Sequence, residues 1–136
     1  MINKTGIIIA GIFCFCIFIS CKKETKCVAG SGGDISIVAR LRHHGVLIPN
    51  DSLRPDTVWV KFNATTWSNP PSGYNLRFIG EAGEDHVHVT GLTCGDYFFY
   101  GAGYDTTIGQ KVTGGIQYSA DGKTKEIDPF NIPVTE

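Results

Sequence analysis

The sequence predicts an all-β domain, a single sandwich of about seven short strands behind a cleaved signal peptide. Three observations carry this reading. Apolar residues recur with period two in short runs. Turn residues separate those runs, and Gly alone accounts for 17 of 136 residues. No segment after the first twenty residues sustains an i, i+3, i+4, i+7 apolar stripe.

The first alternating run begins at Asp34. Ile35, Ile37, Ala39 and Leu41 share one side, and Ser36, Val38, Arg40 and Arg42 share the other. "HHGVLIPND" follows as a loop with Gly45, Pro49 and Asn50. "TVWVKFN" is the second strand, with Val58, Val60 and Phe62 inward and Trp59 and Lys61 outward. A loop from Asn63 to Gly73 leads to a third strand over Tyr74 to Ile79, and "GEAGED" turns the chain. In "HVHVTGL", Val87 and Val89 take one side and His86 and His88 the other. "TCGD" turns again into the aromatic strand "YFFYGAGYD", and "QKVTGGIQYS" is the sixth strand. Asp-Gly in "ADGK" favours a hairpin into the last strand, "TKEIDPFNIPVTE". Pro129 and Pro133 each lack an amide donor, so that strand lies at an edge or is interrupted.

The N-terminus stands apart from the domain. Lys4 precedes an uncharged run from Gly6 to Ser20 rich in Ile and Phe. A bilayer-spanning helix needs about 20 apolar residues, so this run has the length of a signal-peptide core. It ends in Phe18, Ile19, Ser20 and Cys21, which resembles a bacterial lipobox, with Phe18 where Leu is usual. That resemblance implies a signal peptide over 1–20 and acyl chains on Cys21. It implies a partner, the lipid bilayer, and an extracytoplasmic envelope location, expected at the outer membrane with its periplasmic or surface face open. Two or three chains on one residue make such an attachment durable. The alternative is ordinary secretion without lipid. Residues 21–33 read as a flexible tether, charged in "KKETK" and small in "AGSGGD", and residues 34–136 as the sandwich.

Cysteine usage follows from this division. Cys14 and Cys16 leave with the signal peptide, and Cys21 takes the lipid. Cys27 and Cys94 remain in an oxidising compartment, where an even pair points to a disulfide. The alternative is two thiols too distant to bond.

Net charge excludes one class of partner. The formal charge is −1, or −2 once Lys4 is removed, so no basic stripe for nucleic acid exists. "AGSGG" approaches a nucleophile elbow, yet Ala29 replaces its first Gly and a strand follows it. No paired carboxylates, nucleophile pair or phosphate loop emerges, so no catalytic residues are nominated and the domain reads as a non-enzyme.

Two constellations remain. His43 and His44 end the first strand, and His86 and His88 form H-x-H on the fourth. If those strands are neighbours, the imidazoles form a Zn²⁺ or Cu²⁺ site in an envelope metal-binding accessory protein. The plainer alternative is a solvated histidine patch and no cofactor. Trp59 and Trp67, with Tyr100 and Tyr104, form a surface that stacks on a glycan or a protein partner, or else merely cover sandwich edges.

The stretch "VHVTGLTCGDYFFYGAGYD" carries a family resemblance. Val89, Gly91-Leu92, Gly95, Tyr97 and the closing Gly103-Tyr104 resemble the carboxypeptidase regulatory-like and Cna-B-like domains, which are transthyretin-like (Ig-like) sandwiches. "HHGVLIPND" before "VWVKF" fits them too, so the likeness spans about residues 34–110. "HHG", "HVH" and the "VTE" ending are similar to small lipoproteins of the Bacteroidota. The resemblance implies that Leu92 and Tyr97 plug the core and that Gly91 and Gly95 occupy turns. It also implies a non-catalytic stalk, spacer or adhesion module. The long Asn63–Gly73 loop and the two prolines depart from the pattern, so strand order stays open.

Overall fold

A computed structural model describes residues 26–136. The signal peptide expected over 1–20, the expected lipid cysteine Cys21 and the first part of the expected tether lie outside the described residues. Those described contain no helix and form eight strands: β1 Ser31–His43, β2 Val46–Leu47, β3 Thr57–Phe62, β4 Leu76–Ile79, β5 Val87–Leu92, β6 Gly95–Asp105, β7 Gln110–Ala120 and β8 Glu126–Val134.

They make two sheets of four strands. In one, β1 pairs with β5, β2 and β8; in the other the order is β4-β3-β6-β7. β8 runs parallel to β1 and covers it from Ser36 to His43. β5 and β2 therefore follow each other along the other edge of β1.

The inner faces hold the core. Ile35, Ile37, Ala39 and Leu41 of β1 are at most 1% exposed, and Val87, Val89 and Leu92 extend that face. Val58 and Val60 of β3 and Tyr97 and Phe99 of β6 meet them from the second sheet, all fully buried. Alternation on each strand produced this, because only one side of each strand can face the partner sheet. Gly101 continues the inner row of β6, where a Cβ would lie 2.3 Å from Leu41 Cδ2. The missing side chain is the space that Leu41 fills.

Three details differ from the sequence reading. The first is the loop at His43–Val46. His44 and Gly45 have φ of 50° and 80°, and His43 pairs with Val46. Two positive-φ residues make a tight hairpin, which adds β2.

The second is the tether. Strand pairing begins at Ser31, and Ala29 is 7% exposed. Gly33 passes so close to β5 that a Cβ would sit 2.2 Å from the Leu92 carbonyl oxygen. The small residues here serve close contact, not slack. Gly30 donates its amide to the Tyr97 hydroxyl (3.0 Å), and that hydroxyl donates to the Thr93 carbonyl (2.7 Å). Thr93 donates its amide back to the Gly30 carbonyl at 3.1 Å. The structure also joins Cys27 to Cys94, with Cα atoms 5.1 Å apart.

The third is the Asp-Gly turn. Asp121 accepts the amides of Lys123 and Thr124, and Gly122 has φ of 78°. The chain turns as expected, yet it crosses to the other sheet and no β7–β8 hairpin forms. Phe130, Ile132 and Val134 alternate inward, and the free edge of β1 lets them complete the core. β8 is an edge strand with a one-residue bulge, since the four residues from Ile127 to Phe130 oppose the three from Ile37 to Ala39. Pro129 falls inside that bulge and Pro133 on the edge, where a missing donor costs nothing. Beyond β8, Thr113 and Thr135 exchange both backbone hydrogen bonds (2.8 and 2.9 Å), which closes that side of the sandwich against β7.

The disulfide closes a loop with a sequence separation of 67. Loop-closure entropy for that length is worth about 4 kcal/mol. Urea unfolding of the oxidised and reduced chain is expected to differ by about 3–4 kcal/mol in favour of the oxidised form, and a difference below about 1 kcal/mol would contradict this role for Cys27 and Cys94.

Candidate functional site

The four histidines do not form one group. β1 and β5 are neighbours, as a shared metal site requires, but their register pairs Ala39 with Val87 and Val38 with His88. His43 lies four residues past Ala39, about 13 Å further along the strand. Two separate clusters result, His43–His44–Glu136 and Glu84–His86–His88.

The first cluster is a clamp. His43 is 6% exposed, with Nδ1 2.8 Å from Asp105 Oδ2 and Nε2 2.7 Å from Glu136 Oε2. Carboxylates only accept, so both ring nitrogens donate and His43 is an imidazolium. Its pKa is raised, chiefly by the hydrogen bond to Asp105 and then by that to Glu136. Asp105 is held down at about 2 by the Thr107 hydroxyl and by His43. His44 sits beside His43, ring centroids 4.3 Å apart, because its positive φ turns it back over the hairpin. Its Nε2 is 3.9 Å from Glu136 Oε2 and its side chain is largely exposed. With no lone pair left on His43, this cluster ties the C-terminal residues to the β1–β2 hairpin and to the end of β6. The structure therefore places His43 and His44 apart from His86 and His88, with His43 held by two carboxylates and His44 largely exposed beside it.

The second cluster lies at the entry to β5. His86 Nε2 and His88 Nε2 are 2.9 Å apart, and Glu84 Oε2 is 3.4 Å from the first and 4.0 Å from the second. His86 Nδ1 is 2.8 Å from Asp85 Oδ1, and Asp85 Oδ2 faces Arg40 Nε at 3.6 Å. Arg40 is itself paired to Asp128. Asp85 has a lowered pKa, mainly through His86. The buried Asn50 holds the backbone here. Its side-chain amide donates to the His86 carbonyl (2.9 Å), and its main-chain amide donates to that of Glu84 (3.0 Å). The sequence reading placed Glu84 and Asp85 in a turn. The signal it passed over is Glu84 two residues before His86; the chain bends at Asp85 and His86, ahead of β5, and the three side chains gather there.

Trp59 and Trp67 meet on one surface, the outer face of the second sheet, through Tyr100. Ring centroids are 5.8 Å apart for Trp59–Tyr100 and 6.0 Å for Trp67–Tyr100. Trp67 comes from the long loop, donates Nε1–H to the Ser72 carbonyl (2.8 Å) and stands edge-on to Phe98. It covers the sheet. Trp59 instead borders a cleft of about 270 Å³ with a floor of Thr57 and Ala102. Tyr104, Arg54 and Lys111 form the remaining rim. The Arg54 guanidinium lies 3.4 Å from the centre of the Tyr104 ring.

Asp56 sits beneath this cleft, facing the core. It is 1% exposed, and neither carboxylate oxygen has a partner among the described residues. Burial pushes its pKa up to about 7.

These shifts give stability a definite pH profile. Asp105 contributes above its ordinary 3.8 and loses that contribution as pH falls toward about 2. Asp56 acts in the opposite sense: its contribution is complete below 3.8 and is lost as pH rises to about 7. His43 contributes fully below 6.5 and loses its share as pH rises through its higher folded value. Urea midpoints are expected to be highest near pH 4 and to fall toward pH 8, first as Asp56 and then as His43 give up protons in the unfolded chain that the folded one still holds. Asp56→Asn flattens the fall between pH 4 and 7, and His43→Gln flattens the part above 6.5; unchanged slopes in both variants would refute the assignment.

Comparison of the chain with protein-family models, curated proteins and solved structures finds no match.

Proposed function

We propose that this chain is a lipid-anchored envelope protein of the kind found in Bacteroidota, whose sandwich is a non-catalytic binding module of the transthyretin-like group. In this reading the leader is removed and Cys21 carries the acyl chains. The observation that carries it is the Cys27–Cys94 bridge. A disulfide belongs to an oxidising compartment, which is where a lipobox sends its protein. The bridge also shortens the leash. Only residues 22–26 separate Cys21 from the stapled Cys27, a reach of about 20 Å when extended. The sandwich then rides close to the bilayer.

The cleft beside Trp59 is the binding surface in this reading. It is an apolar hollow between aromatic walls with cationic side chains at its rim, and it has room for about one ring. A sugar fits that chemistry: its apolar face stacks on the indole, and Arg54 and Lys111 donate to its hydroxyl or carboxylate oxygens.

Cys21→Ser is expected to move the protein from the membrane fraction to the soluble fraction and to abolish labelling by a palmitate analogue. Unchanged partitioning would overturn the anchor. On immobilised envelope glycans the wild-type protein is expected to be retained and Trp59→Ala to lose about tenfold or more in affinity; equal retention of both would overturn the cleft as the binding surface.

A further inference from the structure

The geometry points to a divalent transition-metal site formed by Glu84, His86 and His88, separate from the cleft and from the His43 clamp. Three ligand-type atoms, one carboxylate oxygen and two imidazole Nε2, lie within 4.8 Å of one another. Their separations of 2.9, 3.4 and 4.0 Å bracket the value of about 3.3 Å for ligands around a tetrahedral ion with bonds near 2.0–2.1 Å.

Orientation singles out this cluster. His86 Nδ1 is held by Asp85 Oδ1, which turns Nε2 toward His88 Nε2 and Glu84 Oε2, the two other ligand-type atoms. Both nitrogens of His43 are instead taken up by carboxylates at hydrogen-bond distance, Asp105 and Glu136. Asp85 is the outer partner that fixes the tautomer and ring of His86, and Arg40 in turn holds Asp85. Glu84 Oε2 is the second observation. It is shielded from water and accepts no hydrogen bond among the described residues. A shielded, unpartnered carboxylate oxygen is costly, and a cation between it and the two imidazoles removes that cost.

Two imidazoles and one carboxylate suit Zn²⁺, Ni²⁺ and Cu²⁺, with Cu²⁺ bound most tightly by the ordinary order of affinities. His88 remains 56% exposed, so the ion is reached from solvent and keeps at least one position open for water or an exchanging ligand. His88 comes from β5 and His86 from the residue just before it, and Asn50 fixes the backbone of both His86 and Glu84.

The test uses untagged full-length protein in detergent, titrated with ZnCl₂ and, separately, CuCl₂ by calorimetry, with electron paramagnetic resonance of the Cu²⁺ form. We expect one equivalent of either ion at this site and nitrogen hyperfine splitting from two imidazoles. His86→Ala and His88→Ala each lower affinity at least tenfold and remove one nitrogen from the spectrum. Asp85→Asn, a positioning change, lowers affinity about 10–100-fold while keeping both nitrogens. His44→Ala leaves affinity unchanged. Urea midpoints check that each variant is folded, and His88, being exposed, is the variant least able to disturb the fold. Absence of stoichiometric binding, retention of full affinity in His88→Ala, or its loss in His44→Ala would each overturn the site. None of these outcomes bears on the Cys21 anchor or the Trp59 cleft.

Discussion

Burial of one face of β1 is the constraint on which the rest of the structure rests. Ile35, Ile37, Ala39 and Leu41 need a covering sheet, and β1 itself needs partners on both edges. β5 and β2 supply one edge and β8 the other. Gly101 of β6 then stays small because Leu41 occupies its place. The same packing decides where the polar groups go. His43 ends the inner row of β1, so it cannot face water and must be satisfied by Asp105 and Glu136. His88 sits on the opposite side of β5 from Val87 and Val89, so it emerges on the outside, with the His86 ring beside it from the residue just before the strand.

The two histidine clusters show how one side chain serves two purposes. An imidazole between two carboxylates is a cation that holds elements together. An imidazole with one carboxylate behind it, and a second imidazole and a carboxylate oxygen gathered before its other nitrogen, has the arrangement of a metal ligand. The distinction lies in which groups the fold places around each ring, since His43 and His86 are alike as residues. Glu136 comes from the end of the chain and Asp105 from the end of β6, whereas Asp85 is adjacent to His86 in sequence.

Asp56 is a local exception among the described residues, a buried carboxyl with no hydrogen-bond partner on either oxygen. Its carboxyl lies where Gly103 leaves room, under the cleft bordered by Trp59 and Tyr104. Its neutral form suits the surroundings and its charged form does not, so part of the molecule's stability is exchanged for a proton near neutrality. The opposite end of the sandwich has no such tension. There the Cys27–Cys94 bridge and the Tyr97 hydroxyl hold the N-terminal segment against the β5–β6 turn.

The all-strand class, seven of the eight strands and the inward residues of β1, β3 and β5 were legible from alternation alone, because period two is a local property of extended backbone. Leu92 and Tyr97 are fully buried as expected of core residues, whereas Gly91 and Gly95, expected in turns, have positive φ inside β5 and at the start of β6. The β1–β2 hairpin was less legible, since His-Gly is a weaker turn signal than Asn-Gly. Asp-Gly at 121–122 named a turn correctly and a hairpin wrongly, because a turn's dihedrals do not say which sheet has a vacant edge. The candidate site divides in the same way. "EDHVH" was sufficient to bring His86 and His88 near each other, since they are two residues apart. Only the register of β1 against β5 separated them from His43 and His44, and only the return of the C-terminus brought Glu136 to His43. Those contacts join residues from 48 to 93 positions apart, and no local pattern encodes a distance across two packed sheets.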